Sequence, residues 1–346
     1  MPSLQPNATE TAVLLLVFNR PGTTRHVLEA IRAAQPKRLY VAADGPRPGR
    51  PADEALCAET RQLVTDLVDW PCELHTQFRS TNLNCGLGPA TAIDWFFSHE
   101  SEGIILEDDC VPTPAFFRFC HELLARYRTD ERVMHIGGNN FAREAQRPPQ
   151  PGTDSYFFSQ QVNSWGWATW RRAWHLYDFQ LKLLPELRRR GLLGGLYPSA
   201  LQRRYWLSKF EQVRATPGTP DIWDYQWHFA VAANGGLTVV PQVNLVRNIG
   251  FGADATHTFD SDDDCANVPA TELAFPLQHP PVVLRDARRD AHRFREFLLS
   301  RLSGKLQRLL SRLVPLSGAD PAVPPRSTTP VPALEPVFST ANQPSV

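Results

Sequence analysis

The chain has 346 residues, 42% of them hydrophobic, which is enough for one large α/β domain with a sizeable core. Lysine plus arginine and aspartate plus glutamate both number 36, and this lack of a basic excess argues against a nucleic-acid partner. No apolar run reaches the roughly 18–20 residues of a membrane-spanning helix. The six cysteines form no CxxC pair, which predicts reduced thiols and a cytoplasmic protein.

Apolar runs alternate with helical patterns along the first third of the chain. Strands are predicted at 12–18, 39–43, 73–78 and 103–107, with helices between them that end near residues 34, 69 and 99. This alternation predicts a mixed, mainly parallel, Rossmann-like α/β sheet flanked by helices. Further strands are predicted at 132–136, 156–158 and 237–240, and residues 176–213 are predicted to be helical.

Three acidic residues, Glu107, Asp108 and Asp109, directly follow the fourth predicted strand. Because the carboxyl ends of parallel strands meet at one edge, these acids should lie where open α/β sheets bind ligands. Adjacent carboxylates repel one another, and oxygen ligands of this kind suit Mg²⁺ or Mn²⁺. The alternative is that the acids only cap the following helix.

Polar residues also follow the first two strands. Arg20 could pair with a diphosphate, and Asp44 could accept from a base N–H or a ribose hydroxyl. Gly86 lies at a predicted helix start, where the backbone could approach a ligand. Neither a dinucleotide fingerprint nor a P-loop is present. The pattern therefore favours a nucleoside diphosphate with a metal over NAD or ATP.

Several of these segments resemble GT-A fold glycosyltransferases of the N-acetylglucosaminyltransferase I type. The resemblance rests on Phe18-Asn19-Arg20-Pro21, Ala43-Asp44-Gly45, and Glu107-Asp108-Asp109 followed by Pro114-Ala115-Phe116-Phe117. The tryptophan-rich segment 164–174 resembles a bacterial, haemolysin-related group of nucleotide-sugar transferases. Together the resemblance covers about residues 12–260.

The resemblance implies metal-dependent transfer of a sugar, with inversion, from a UDP-sugar to a hydroxyl of a glycan or glycolipid. It implies that Arg20 and Asp44 hold the uridine and that Glu107 and Asp108 contact the ribose and the donor sugar. Asp109 would ligate Mn²⁺ or Mg²⁺ between the phosphates.

Asp224 would be the catalytic base that deprotonates the acceptor hydroxyl. It lies in Trp223-Asp224-Tyr225, where the eukaryotic family has two adjacent acids. His257, in a glycine-rich segment, would be a second metal ligand, and Asn248 would meet the donor.

An acceptor platform is predicted from the tryptophans, since sugars stack their C–H faces on indole rings. The candidates are Trp165, Gly166, Trp167 and Trp223. The alternative is that these rings form a second hydrophobic layer over the sheet.

The predicted organisation is a GT-A domain at 1–284, with a donor half at 12–140 and an acceptor half at 141–284. Residues 285–314 form a basic amphipathic helix that either packs on protein or lies on the inner face of a membrane. The proline-rich residues 315–346 are predicted to be disordered.

Two other functions remain open. The first is a metal-dependent phosphohydrolase or nucleotidyltransferase, because three acids at a strand end would serve either. Against it, the first strand carries no nucleophilic DxD and no glycine-rich loop with lysine or arginine. The second is a non-catalytic carbohydrate-binding protein that uses the tryptophan segment.

Overall fold

The computed structural model describes residues 10–142, 145, 152–216, 221–251 and 268–313, with only the backbone described for 302–313. The predicted metal ligand His257 and the predicted disordered tail 315–346 lie outside the described residues. The chain divides into two compact units, Met1–Ser300 and Arg301–Val346. The part of the second unit that is described is helical backbone.

Strands and helices alternate through the described residues. The strands are β1 (Val13–Val17), β2 (Arg38–Ala43), β3 (Glu73–Phe78), β4 (Glu102–Glu107), β5 (Cys110–Pro112), β6 (Val133–Gly137), β7 (Tyr156–Ser159), β8 (Trp167–Trp170), β9 (Leu237–Pro241) and β10 (Val246–Asn248). The helices are α1 (Pro21–Ala34), α2 (Pro51–Leu67), α3 (Asn84–His99), α4 (Pro114–Arg126), α5 (Arg171–Trp174), α6 (Leu183–Arg189), α7 (Ala200–Ala215), α8 (Asp224–Ala233) and α9 (Ala287–Leu313).

Within the described residues, eight strands form one sheet in the order β3-β2-β1-β4-β8-β6-β9-β7. The four strands at one side, β3, β2, β1 and β4, run parallel. β8 is antiparallel to both β4 and β6, β6 pairs parallel with β9, and β7 is antiparallel at the far edge. This sheet confirms the predicted mixed, Rossmann-like α/β class.

Both faces of the sheet are covered, as the apolar strand sequences predict. All five residues of β1 are buried. Val13, Leu15 and Val17 pack into one core layer, whereas Leu14 and Leu16 pack into the layer on the opposite face. A continuous apolar strand is the pattern expected when helices lie on both sides of a parallel sheet.

The three acids after β4 do not cap a helix. The cap position of α4 is Thr113, Pro114 is its first residue, and no acid lies in its first turn. Between the acids and α4, β5 pairs antiparallel with β10. The helix-cap alternative is therefore wrong for Glu107–Asp109.

Residues 176–213 do not form the continuous helix that the sequence indicated. They contain α6, a 3₁₀ turn at Leu192–Gly195, and the start of α7. Gly191 adopts a φ of +72°, which ends α6, and Ser199 caps α7 by accepting from the Gln202 amide.

The first part of α9 packs on the domain. The buried Asp290 carboxylate accepts from Ser159 Oγ at 2.5 Å, from the Gln160 amide at 3.1 Å and from Arg285 Nε at 2.5 Å. Phe294 is also buried. These contacts favour packing on protein over membrane contact for this part of the helix. Among the described helices, none is long and apolar enough to cross a membrane.

Candidate functional site

Four neighbouring parallel strands present polar side chains at one edge of the sheet. Arg79 follows β3, Asp44 follows β2, Arg20 follows β1, and Glu107 ends β4. Adjacent strands lie about 4.8 Å apart, so these four strand ends extend over about 14 Å. The structure thus brings together Arg20, Asp44 and the Glu107–Asp109 acids, as the topology predicts.

The acids are held close to one arginine. Arg20 Nη2 pairs with Asp108 Oδ1 and lies 3.0 Å from Asp109 Oδ2. Burial raises the pKa of Asp108 to about 6 despite this pairing. Burial, together with the charges of Asp109 and Asp108, raises the pKa of Glu107 to about 8. Such a cluster of mutually repelling carboxylates is stabilised by an additional cation.

The loop after β10 covers Asp109. The Ile249 amide donates to the Asp109 carbonyl oxygen at 2.8 Å, and Asn248 Nδ2 lies 3.4 Å from Asp109 Oδ1. A Cβ added at Gly250 would lie 2.0 Å from Asp109 Oδ2, so only glycine allows this approach. Asn248 therefore lies beside the carboxylate predicted to bind a metal.

The donor set fits a hard divalent cation. Carboxylate oxygens suit Mg²⁺, which is normally held by one or two carboxylates together with substrate phosphates. The described residues contain no group of three His, Cys, Asp or Glu side chains arranged around one metal position. Glu107 and Asp109 would therefore hold an ion only together with oxygens from a substrate. This arrangement of two carboxylates and substrate oxygens fits Mg²⁺.

A cavity of about 280 Å³ extends along the strand ends, and we call it the Asp44 pocket. Its lining includes apolar residues of β1, β2 and α3 and these polar residues: Arg20, Asp44, Arg47, Arg79, Asn82, Asn84, Glu107, Asp108 and Asp221. Asp44 accepts from the Gly45 and Leu83 amides, each at 3.0 Å. Burial raises its pKa even so.

The start of α3 is occupied by a carboxylate. Asp221 accepts from the Cys85 amide at 2.9 Å and from the Gly86 amide at 2.7 Å. A helix N-terminus favours a negative charge, and here the protein supplies it. Gly86, predicted to contact a donor, is buried and donates to Asp221 instead. Sequence reasoning missed Asp221 because 135 residues separate it from Gly86.

A second cavity, of about 490 Å³, adjoins the first, and we call it the Asp224 pocket. The two cavities share Arg20, Cys85, Pro89 and Glu107. The Asp224 pocket is also lined by Asp109, Ser164, Trp165, Lys209, Gln212, Ile222, Trp223, Asp224, Tyr225, Asn248 and Gly250. The charge of Asp224 contributes to the raised pKa of Glu107, so the two acids lie near each other.

The tryptophans predicted to contact an acceptor divide between pocket and core. Trp165 is half-buried and lines the Asp224 pocket, and Trp223, although 5% exposed, also lines it. Trp167 is fully buried and stacks on His135 and Trp223, so it has no surface for a ligand. The Gly166 carbonyl accepts from the Gly138 amide. Gly166 thus has a packing role at its φ of +70°.

No family model and no curated protein sequence matches the chain. Among solved structures, the inositol-1-phosphate CTP transferase from T. maritima superposes with a TM-score of 0.39 at 10% identity. That match covers 74% of this chain and 93% of the other.

Two further structures match about half of this chain. HddC from Yersinia pseudotuberculosis has a TM-score of 0.30 at 11% identity, over 51% of this chain and 86% of its own. The 4-diphosphocytidyl-2C-methyl-D-erythritol synthase from Anaerococcus prevotii has a TM-score of 0.29 at 7% identity, over 51% of this chain and 77% of its own. At these values the likeness concerns the fold and assigns no function to the chain.

The comparison contradicts the glycosyltransferase predicted from the sequence. The three matched proteins are a CTP transferase, HddC and a diphosphocytidyl synthase, and none of them is named as a glycosyltransferase. The resemblance to the N-acetylglucosaminyltransferase I type is not supported either. With that correction, the implied UDP-sugar donor and glycan acceptor are not supported, whereas the role of Asp224 as a base stays a prediction.

Proposed function

We propose that the chain is a metal-dependent nucleotidyltransferase. In this reaction an anionic oxygen of a phosphorylated acceptor attacks the α-phosphorus of a nucleoside triphosphate. The new P–O bond replaces the bond to the β-phosphate, and pyrophosphate leaves with its electron pair. The observation that carries the proposal is that two adjoining pockets share Arg20 and Glu107, so two substrates can meet at the acids.

The charges of the site suit this chemistry. Phosphoryl-type transfer depends mainly on positioning and on neutralising the developing charge, with little covalent chemistry for the protein to do. Arg20 is held at the acids and keeps 22% of its side chain exposed, so it can contact phosphate oxygens. A divalent ion at Glu107 and Asp109 would neutralise the leaving pyrophosphate.

An anionic acceptor also removes the need for a strong general base. A phosphate oxygen already carries negative charge, whereas a hydroxyl acceptor must lose a proton in flight. In this reaction Asp224 does not act as a base. Its contribution is its negative charge near Glu107, which helps to raise the Glu107 pKa. The aromatic and amide side chains of the Asp224 pocket, such as Trp165 and Gln212, suit a hydroxyl-rich acceptor.

The test is pyrophosphate release. The protein is incubated with Mg²⁺, each of the four nucleoside triphosphates, and a panel of hexose 1-phosphates and polyol phosphates beside the unphosphorylated compounds. We expect release only with a phosphorylated acceptor, and a loss of about 10–100-fold in Asp109→Asn. Asp69→Asn removes an exposed carboxylate that pairs with Arg32 and is the matched control.

Three outcomes separate the functions. Pyrophosphate release that needs a phosphorylated acceptor supports nucleotidyl transfer. Release of inorganic phosphate with water alone would favour the phosphohydrolase. Failure to turn over any triphosphate with any acceptor, by a protein that binds Mg²⁺ and nucleotide, contradicts the proposal.

A further inference from the structure

Lys209 is a cation in the wall of the Asp224 pocket that has no acidic partner close by. Its side chain is half-buried, and in the part of the chain that is described no carboxylate oxygen lies within 4.0 Å of its Nζ. Nζ lies 5.9 Å from the centroid of the Tyr205 ring, at the outer limit of a cation–π contact. Partial burial of an ammonium group without a counter-ion is costly, so an anion in the pocket would stabilise it.

The other cations that line the two pockets are held by the protein. Arg20 pairs with the acids after β4, and Arg47 Nε lies 2.6 Å from an acid of α2. Arg79 donates to three neutral groups, which are the Gly88 carbonyl at 3.2 Å, Gln77 Oε1 at 2.8 Å and Thr91 Oγ1 at 2.9 Å. Among the cations of the described lining, Lys209 therefore keeps the most donor capacity for a ligand, with three N–H groups.

Lys209 lies away from the boundary between the two pockets. Arg20 and Glu107 line both pockets, so they mark the place where two substrates would meet. Lys209 and Gln212 line the Asp224 pocket and not the Asp44 pocket. They are three residues apart on α7, a spacing that places both side chains on one face of a helix. This face of α7 presents an ammonium and an amide to the pocket.

The packing of α7 fixes the position of Lys209. The neighbouring Phe210 is fully buried, and its ring centroid lies 5.1 Å from that of Phe229 on α8. Tyr205, one turn earlier, lies 5.9 Å from Phe294 of α9, also between ring centroids. Because α7 is held by two other helices, the backbone at Lys209 is fixed, and its side chain alone adapts to a ligand.

The remaining charges of the Asp224 pocket are mainly negative. Glu107, Asp109 and Asp224 are acids, and Arg20 is already paired. The attacking phosphate of an acceptor would be held at the boundary, by Arg20 and by the ion at the acids. A cavity of about 490 Å³ is in the size range of small-molecule sites, so the acceptor would extend beyond that phosphate. A second anionic group on the acceptor would be repelled by the acids and attracted by Lys209.

We propose that Lys209 binds a second anionic group of the acceptor, a carboxylate or a phosphate, in the part of the Asp224 pocket away from the attacking phosphate. An ammonium is a compact charge whose three N–H donors suit either group. The Gln212 amide donates to the same group or to a neighbouring hydroxyl. The substrate class is then a phosphorylated sugar or polyol that carries a further acid group. The proposal rests on the proposed function in that the Asp224 pocket takes the acceptor.

The first test is calorimetric binding, in Mg²⁺, of three matched compounds. Glucose 1-phosphate carries only the attacking group, glucose 1,6-bisphosphate adds a phosphate, and glucuronic acid 1-phosphate adds a carboxylate. The proteins are the wild type, Lys209→Gln, Lys209→Arg and Lys182→Gln. Lys182 is exposed, lies at the start of α6, and lines neither pocket, so its variant controls for the loss of any lysine. Thermal unfolding of each variant is recorded beside the binding.

For the wild type we expect at least one compound with a second acid group to bind about 10–100-fold more tightly than glucose 1-phosphate. The two compounds distinguish a phosphate from a carboxylate. In Lys209→Gln the ratio should fall to near one, whereas Lys209→Arg and Lys182→Gln should keep most of it. A wild type without this preference overturns the proposal. An equal loss for all three compounds in Lys209→Gln also overturns it, because that is the result of a role at the attacking phosphate or in folding.

The second test needs no variant. The chain has four lysines, so acetylation of each by acetic anhydride can be followed by mass spectrometry of the wild type. The preferred compound with two acid groups should slow acetylation of Lys209 at least fivefold more than glucose 1-phosphate does. Lys37 and Lys182 line neither pocket and are internal controls. Equal protection of Lys209 by all three compounds, or none by any, contradicts the proposal.

The outcomes are separable from those of the proposed function. Pyrophosphate release that needs a phosphorylated acceptor, without preference for a second acid group, would overturn only the role of Lys209. A preference that depends on Lys209, without pyrophosphate release, would contradict nucleotidyl transfer and leave the anion site in place.

Discussion

Replacing Glu107 by glutamine should stabilise the metal-free protein. The charged form of Glu107 is disfavoured by burial and by repulsion from Asp109 and Asp108, which raise its pKa from 4.5 to about 8. At 1.36 kcal/mol for each pH unit, this corresponds to a ceiling of about 5 kcal/mol at high pH. Solvent in the two pockets screens part of this, so we expect Glu107→Gln to be more stable by about 1–3 kcal/mol at pH 8.

The direction of the pH dependence of stability follows from proton linkage. The folded protein holds the Glu107 proton more tightly than the unfolded chain, so the stabilisation is complete below pH 4.5. It is lost as the pH rises through the range from 4.5 to about 8. The wild type should therefore lose stability over that range, and Glu107→Gln should lose less.

The assay is urea unfolding from pH 5 to pH 9, with EDTA present so that no divalent ion compensates the acids. Glu59→Gln, an exposed position on α2, controls for the loss of any glutamate. A Glu107→Gln protein that is no more stable than the wild type at pH 8, in EDTA, would refute the reasoning. Added Mg²⁺ should also stabilise the wild type at pH 8 more than it stabilises the variant.

Three further predictions concern packing around the site. Trp167→Ala should cost about 3–5 kcal/mol in urea unfolding because the ring is fully buried, whereas Trp165→Ala should cost clearly less; equal costs would contradict the division between core and pocket. Gly250→Ala should displace Asp109, since its Cβ would lie 2.0 Å from Oδ2. It should weaken Mg²⁺-dependent nucleotide binding at least tenfold in calorimetry, with unchanged binding as the contrary result. Asp290→Ala should cost about 3–5 kcal/mol because it leaves a buried arginine contact uncompensated, and a thermal unfolding midpoint equal to that of the wild type would argue that α9 is not anchored there.

The wrong prediction of a glycosyltransferase has an identifiable cause. Three acids at a strand end, with an arginine and an aspartate at neighbouring strand ends, suit any reaction of a metal-bound nucleotide. The sequence resemblance added a sugar donor and a catalytic base to that shared pattern. Nothing in Glu107, Asp108 or Asp109 distinguishes transfer of a sugar from transfer of a nucleotidyl group.

Sequence alone determined the parallel half of the sheet and the edge at which the candidate site lies. The apolar runs of β1, β2 and β4 are local signals, and parallel strands in βαβ order must end at one edge. Arg20, Asp44 and the three acids follow those runs directly, so their meeting was predictable. Arg79 obeys the same rule at the end of β3 and could have been found in the same way.

The tertiary structure decided which of these groups could contact a ligand and which are occupied by other parts of the protein. Whether Trp165 or Trp167 meets a pocket depends on a turn at Gly166 and on packing against Trp223. Whether Gly86 binds a ligand depends on Asp221, whose carboxylate is 135 residues distant along the chain. Arg79 differs from Arg20 only in what the fold places beside it. These are contacts between distant segments, and the local propensities and periodicities of a sequence carry no record of them.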